Sequence, residues 1–175
     1  MRKILIVIDM QNDFIDGALG TAEAQMILPA VAEKIRSFDG QVIFTRDTHT
    51  PEYMDTQEGA NLPVIHCVKG ENGWNLPGVL ESLREEKDSP VFDKPTFGSV
   101  DLGEYMLSMY KLGKVDSVEL IGVCTDICVI SNALLLKAFM PEVPISVDSS
   151  CCAGTTVQNH DNALAAMKMC QIAVK

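Results

Sequence analysis

Residues 4–8, Ile4-Leu5-Ile6-Val7-Ile8, form an unbroken apolar run that stops abruptly at Asp9. A strand with one wet face would show a polar residue at every second position. This run shows none, so both of its faces must be covered, as in a parallel sheet between helices. Similar short runs recur at 41–45, 90–92, 118–123, 144–147 and 172–174. Between them lie stretches with helical spacing at 24–38, 79–86, 100–112, 126–139 and 160–169. In the first of these, Ile27, Val31, Ile35 and Phe38 make a single stripe. The alternation predicts an α/β fold, a mostly parallel sheet covered by helices on both faces. No repeat, linker or low-complexity tract interrupts it, so residues 1–175 are expected to form one domain, a length sufficient for a substantial core.

One stretch does not fit the rhythm. Residues 47–76 are rich in Gly, Pro, Asn and His, and irregular segments of that length inside a compact domain tend to be functional. The formal net charge of −10 argues against nucleic acid or an anionic membrane surface as partner and leaves a small-molecule substrate open. A homo-oligomer is left open as well. The first apolar run is too short for a signal peptide, and no other segment is long enough to span a membrane. A cytoplasmic protein with reduced thiols is expected, so the six cysteines are not read as a disulfide framework. Cys67 and Cys170 are expected in the core, and Cys151 and Cys152 on a loop without an assigned role.

Open α/β sheets bind ligands at the carboxyl ends of their strands. Asp9, Asp47 with His49, Lys94, and Cys124 with Cys128 each follow a predicted strand, so they are expected along one edge. Cys128 lies where the run 118–123 turns into a helix. With Thr125 or Asp126 as the cap, the thiol falls in the first helical turn, where free N–H groups and the helix dipole favour a thiolate. Asp9 alone could equally cap the turn Met10-Gln11-Asn12-Asp13. Lys94 alone reads as a surface lysine, although Pro95 holds it extended. Together they make a chemical set: a cation beside a thiol, a carboxylate to take and return its proton, and backbone N–H groups around 122–128 to hold an oxyanion.

A second set is Asp47-Thr48-His49 with Glu58 and His66 downstream. Residues i and i+2 of an extended segment point the same way, so Asp47 and His49 can share an ion. Imidazole and carboxylate donors suit Zn, Fe or Mn. The third histidine, His160, is read as support for the start of the last helix.

Three segments carry a resemblance: Ile8-Asp9-Met10-Gln11-Asn12-Asp13-Phe14, Asp93-Lys94-Pro95-Thr96-Phe97-Gly98-Ser99 and Gly122-Val123-Cys124-Thr125-Asp126-Ile127-Cys128-Val129. They resemble, in order, the signatures of the isochorismatase-like cysteine hydrolases. Thr45-Arg46-Asp47-Thr48-His49 and Pro63-Val64-Ile65-His66-Cys67 resemble the metal segments of the nicotinamidase/pyrazinamidase branch. The resemblance implies a Rossmann-like three-layer sandwich and an Asp9-Lys94-Cys128 triad. It implies a cis peptide at Val123–Cys124 and an oxyanion hole from the Cys124 and Cys128 N–H groups. It carries the metal site to Asp47, His49 and His66, with Glu58 as a fourth ligand, and puts Phe14, Val123 and Cys124 against the substrate. The implied activity is hydrolysis of nicotinamide to nicotinate and ammonia through a thioester, as in pyridine nucleotide and NAD salvage. Relatives that place an aromatic just before the second metal histidine have no counterpart in Asn61-Leu62-Pro63-Val64-Ile65, so a second ring would come from elsewhere, with Trp74 available. Rival readings are a family hydrolase of another small amide or carbamoyl substrate, a thiol redox or sensor protein, and a silent binding module. The C-x-x-x-C spacing of Cys124 and Cys128 departs from the C-x-x-C of thioredoxin-like motifs.

Overall fold

A computed structural model describes residues 2–175. The first strand, β1 (Lys3–Ile8), is followed by a short helix α1 (Asn12–Ile15), then α2 (Ala22–Ser37) and β2 (Gln41–Asp47). Next come α3 (Gln57–Asn61), α4 (Gly78–Glu86), β3 (Val91–Lys94), α5 (Val100–Lys111) and β4 (Ser117–Val123). The chain ends with α6 (Ile130–Phe139), β5 (Ile145–Ala153), α7 (Val157–Met169) and β6 (Ala173–Val174). The strands form one sheet in the order β3-β2-β1-β4-β5-β6, and every neighbouring pair is parallel.

The unbroken apolar run of β1 does what its composition demands. Ile4, Ile6 and Ile8 pack with Leu102 and Met106 of α5, Leu136 of α6 and Met167 of α7. Leu5 and Val7 face the other way, onto Val31 and Ile35 of α2 and Leu80 and Leu83 of α4. These two cores make the three-layer sandwich. The α2 helix opens on Thr21, whose hydroxyl accepts from the Ala24 N–H at 3.0 Å.

Several elements differ from the sequence expectation. β5 runs on to Ala153, so Cys151 and Cys152 are buried strand residues, not loop residues. A register shift between Leu120 and Gly122 on β4 allows the ladder to resume at Gly122 with Cys152. Cys170 caps the end of α7 at the surface and is exposed, whereas Cys67 is fully buried. The stretch 47–76 contains α3 and two 3₁₀ turns, Tyr53–Asp55 and Asn72–Trp74. The helix after β4 opens with a wide turn over Thr125–Val129, in which the Val129 N–H reaches the Cys124 carbonyl at 3.1 Å. Neither Thr125 nor Asp126 caps it. Thr125 Oγ1 bonds His160 Nδ1 at 2.8 Å, and the Asp126 carboxylate accepts from the Thr155 N–H at 2.8 Å and hydroxyl at 2.6 Å. Both side chains thus tie the turn to the start of α7, which begins at Val157, so His160 lies in its first turn.

Candidate active site and metal centre

β1 and β2 lie side by side, so Asp9 and Asp47 emerge at the same end of the sheet. Asp9 is fully buried and left-handed, with φ 47°, a region that aspartate tolerates better than most residues. The turn swings its carboxylate inward. Oδ1 accepts from the Thr45 hydroxyl at 2.6 Å, and the Thr45 oxygen also receives the Asp9 N–H at 3.2 Å. Oδ2 stands 2.7 Å from Lys94 Nζ.

Lys94 is the last residue of β3 and is 1% exposed, so the surface reading fails. Its ammonium meets three groups. Besides Asp9 it lies 3.5 Å from Cys128 Sγ and 3.4 Å from Asp47 Oδ1. Burial works against its charge, but Asp9, Cys128 and Asp47 around it outweigh that and hold its pKa above the ordinary value. Burial pushes the Asp9 carboxyl up, with Asp47 adding to the shift and Lys94 opposing it. Burial also pushes the Cys128 thiol well up, the nearby Asp9 carboxylate adds to that, and Lys94 opposes it. Burial and Asp9 thus oppose the thiolate that the start of the helix favours. Lys94 supports one negative charge on the pair, and Asp9 and Cys128 compete for the accompanying proton. That is the condition for moving the proton between them.

Cys128 is 5% exposed and Val123 is buried, while Cys124 retains partial exposure. Burial and nearby acids push the Cys124 thiol up to about 12. The Val123–Cys124 peptide is cis.

The four acid and imidazole residues converge. Asp47 Oδ2 lies 3.1 Å from His49 Nε2 and 3.4 Å from His66 Nε2. Glu58 Oε1 lies 3.6 Å from His49 Nε2 and 3.9 Å from His66 Nε2. All four donor atoms lie within 4.8 Å of one another. Donors about 2.1 Å from a six-coordinate ion stand roughly 3 to 4 Å apart, so the cluster fits one divalent cation and leaves positions for other ligands. His66 Nδ1 faces the Val64 carbonyl at 2.8 Å, which leaves Nε2 free to donate its lone pair inward. Burial opposes ionisation of Asp47, but the imidazoles of His49 and His66 beside it and the Lys94 ammonium outweigh that and hold the carboxyl below its usual range. Glu58, from α3, is pushed up by burial and by Asp47.

Phe14 packs edge-on to the His66 ring, with centroids 5.6 Å apart. Trp74 is engaged elsewhere. Arg46 stacks on it at 3.7 Å, and its indole N–H donates to the Thr48 hydroxyl at 2.9 Å. The second ring beside the imidazoles is Tyr53, 4.6 Å from His49 and 5.0 Å from His66 between centroids.

Four further residues hold the site together, and sequence reading gave them no such role. Gln11 is fully buried; its amide oxygen receives the Asp47 N–H at 2.7 Å, and its nitrogen donates to the carbonyls of Asp47 at 2.9 Å and Trp74 at 3.0 Å. Asp13 accepts the Cys67 N–H at 2.7 Å, fixing the backbone next to His66. Thr45 holds Asp9, and Asn132 bonds the Cys128 carbonyl. The available signal was polarity inside an otherwise apolar setting, strongest for Thr45 in its strand.

The chain matches the Isochorismatase domain model over residues 3–174. It belongs to the isochorismatase family. Among the members it resembles is the isochorismatase family protein PncA of Bacillus subtilis, 30% identical over 94% of this chain and 93% of that protein. The solved nicotinamidase/pyrazinamidase PncA from Bacillus subtilis superposes with a TM-score of 0.82 at 27% identity, covering 99% of this chain and 100% of that one. The pyrazinamidase of Pyrococcus horikoshii, solved in complex with zinc, gives 0.80 at 26% identity over 100% and 99% of the two chains. The family's six-stranded parallel sheet flanked by helices is therefore this chain's fold.

Proposed function

We propose that this isochorismatase-family chain is a metal-containing amidase that hydrolyses nicotinamide to nicotinate and ammonia. One observation carries the reading. A single buried ammonium, Lys94 Nζ, touches Asp9, Cys128 and Asp47, so a thiol–carboxylate pair and a four-donor cation site share one wall. A thiol nucleophile beside an ion-sized anchor suits a small amide whose ring also carries a ligand atom. The similarity to solved nicotinamidase/pyrazinamidase and zinc-bound pyrazinamidase chains supports the same reading.

Asp9 takes the Cys128 proton, with Lys94 stabilising whichever partner is charged. Sγ attacks the carboxamide carbon, and the charge passing to oxygen is met by the backbone N–H groups of Cys124 and Cys128. Asp9 returns its proton to the leaving nitrogen, ammonia departs, and a thioester remains on Cys128. Asp9, again a carboxylate, removes a proton from water as it attacks the thioester. The product leaves as nicotinic acid, which ionises to nicotinate in water, and the proton on Asp9 restores the thiol. Asp47, His49, His66 and Glu58 would hold one divalent ion, Zn with Fe or Mn also suited, supplying a Lewis-acidic anchor for the ring nitrogen, a templating role. Phe14, Val123 and Cys124 would line the ring pocket.

The test is ammonia release from nicotinamide by the purified protein, with and without a chelator. Release that a chelator suppresses and added zinc restores is the expected result. No release from the metal-loaded protein would overturn the reading.

A further inference from the structure

The contact between Lys94 and Cys128 is not enforced by the sheet. β3, which ends on Lys94, is separated from β4, which leads to Cys128, by β2 and β1. Among the described residues, no backbone–backbone hydrogen bond joins the loop 95–99 after Lys94 to the turn 124–129. One side chain does. Asn132 lies on α6, four residues after Cys128, and is fully buried. Its Nδ2 donates to the Cys128 carbonyl at 2.8 Å and to the Phe97 carbonyl at 3.0 Å. Its Oδ1 accepts the Ser99 N–H at 2.9 Å. Both amide protons and the carbonyl are therefore used, on two separate stretches of backbone. The loop sits directly on α6 at this point: a Cβ on Gly98 would come 3.4 Å from the Ser131 carbonyl oxygen.

We propose that Asn132 is a positioning residue that pins the Lys94 loop to the nucleophile's turn and so holds Lys94 Nζ beside Cys128 Sγ. The inference rests on the roles given above to Cys128 and Lys94. It concerns a residue that touches neither substrate nor ion. A planar amide is suited to the task because it donates twice and accepts once in fixed directions. No hydroxyl or carboxylate can make all three bonds.

Two substitutions separate positioning from packing. Asn132→Asp keeps the shape and the acceptor for the Ser99 N–H but loses both donors. Asn132→Ser keeps a donor that can reach back four residues to the Cys128 carbonyl, and cuts both bonds to the loop. Should Asn132→Asp fail to fold, Asn132→Ser carries the test. Three readouts are needed on folded protein, monitored by circular dichroism: kcat, KM for nicotinamide, and the rate at which iodoacetamide alkylates Cys128. Alkylation is resolved by peptide mass spectrometry, because Cys170 is exposed and Cys124 partly so. A displaced Lys94 should lower kcat on the order of 10²-fold, leave KM within about threefold and slow Cys128 alkylation about tenfold or more. Wild-type alkylation in the folded variants would overturn the proposal, whether or not stability falls. A raised KM with unchanged kcat would also overturn it. The alkylation comparison needs no substrate, so it decides the point even if nicotinamide proves to be the wrong amide.

Discussion

Gly122 is where one atom would do most damage. Its φ of 117° lies in the region that favours glycine, and a Cβ there would stand 2.1 Å from the Ile8 carbonyl oxygen. Ile8 is its ladder partner and immediately precedes Asp9. Gly122→Ala must therefore push β1 and β4 apart at the base of the site. We expect at least a 10²-fold loss of turnover and a destabilisation of about 2–4 kcal/mol, read from ammonia release and a denaturant melt. At the cysteines, Cys128→Ala should abolish turnover while the fold survives. Cys124→Ala should be milder, because its proposed contribution is a backbone N–H. Steady-state assays of both proteins check this, and a dead Cys124→Ala beside an active Cys128→Ala would reverse the assignment. Asp9, Lys94 and Cys128 were legible because each ends or follows an apolar run and carries chemistry an interior does not tolerate unpaired. Gln11 and Asn132 were not, because their work is done on backbone 33 or more positions away in sequence, at Asp47 and Ser99 respectively. No local pattern encodes such a bond.

At the level of elements, the end of the sheet away from the site is tied by charge. Lys34 of α2 pairs with Glu119 of β4 and, at 2.8 Å, with Asp148 of β5, and Lys175 also pairs with Glu119. Burial opposes ionisation of Glu119, but Lys175 and Lys34 outweigh it and hold its carboxyl below the ordinary 4.5. Asp148 follows the same logic, with burial opposed chiefly by Lys34. A carboxyl whose pKa is lowered on folding stabilises above its unfolded value, and that stability is lost as pH falls through the folded value. Wild type should therefore lose stability steadily below about pH 4.5, and Lys34→Met should flatten this limb by about 1 kcal/mol. Urea melts from pH 7 to 3 measure it; an unchanged slope would remove Lys34 from the account. Asp148 also accounts for the difference in the length of β5. Asp148-Ser149-Ser150 interrupts the apolar pattern of β5, so the strand looked finished at 147, yet its ladder resumes at Cys152. The short helix α3, which carries Glu58, was hidden for a related reason. Five residues are too few to show a helical period, and its visible start signal is Thr56, whose hydroxyl accepts the Gly59 N–H at 3.0 Å.

Across the whole molecule, the strand order explains why so few residues suffice. β1 lies between β2 and β4, so Asp9 leaves the sheet between the Asp47 side and the Cys128 side, and β3 beyond β2 brings Lys94 back toward both. The alternating apolar runs made this parallel sheet legible, but strand order came from pairing that no single run encodes. One divalent ion per chain is expected on purification without chelator. Its removal should lower Tm, since Asp47 and Glu58 then lose their shared cation; elemental analysis and paired melts check both. In the proposed function a cation held by Asp47, His49, His66 and Glu58 grips the ring nitrogen of an amide attacked by Cys128. The most direct measurement compares kcat/KM for nicotinamide, pyrazinamide and benzamide on the metal-loaded protein. Benzamide keeps the amide and nearly the same shape but has no ring nitrogen. The loss of one well-made polar anchor predicts a fall of roughly 10²-fold for benzamide, with pyrazinamide close to nicotinamide. Benzamide turned over as fast as nicotinamide would contradict the account.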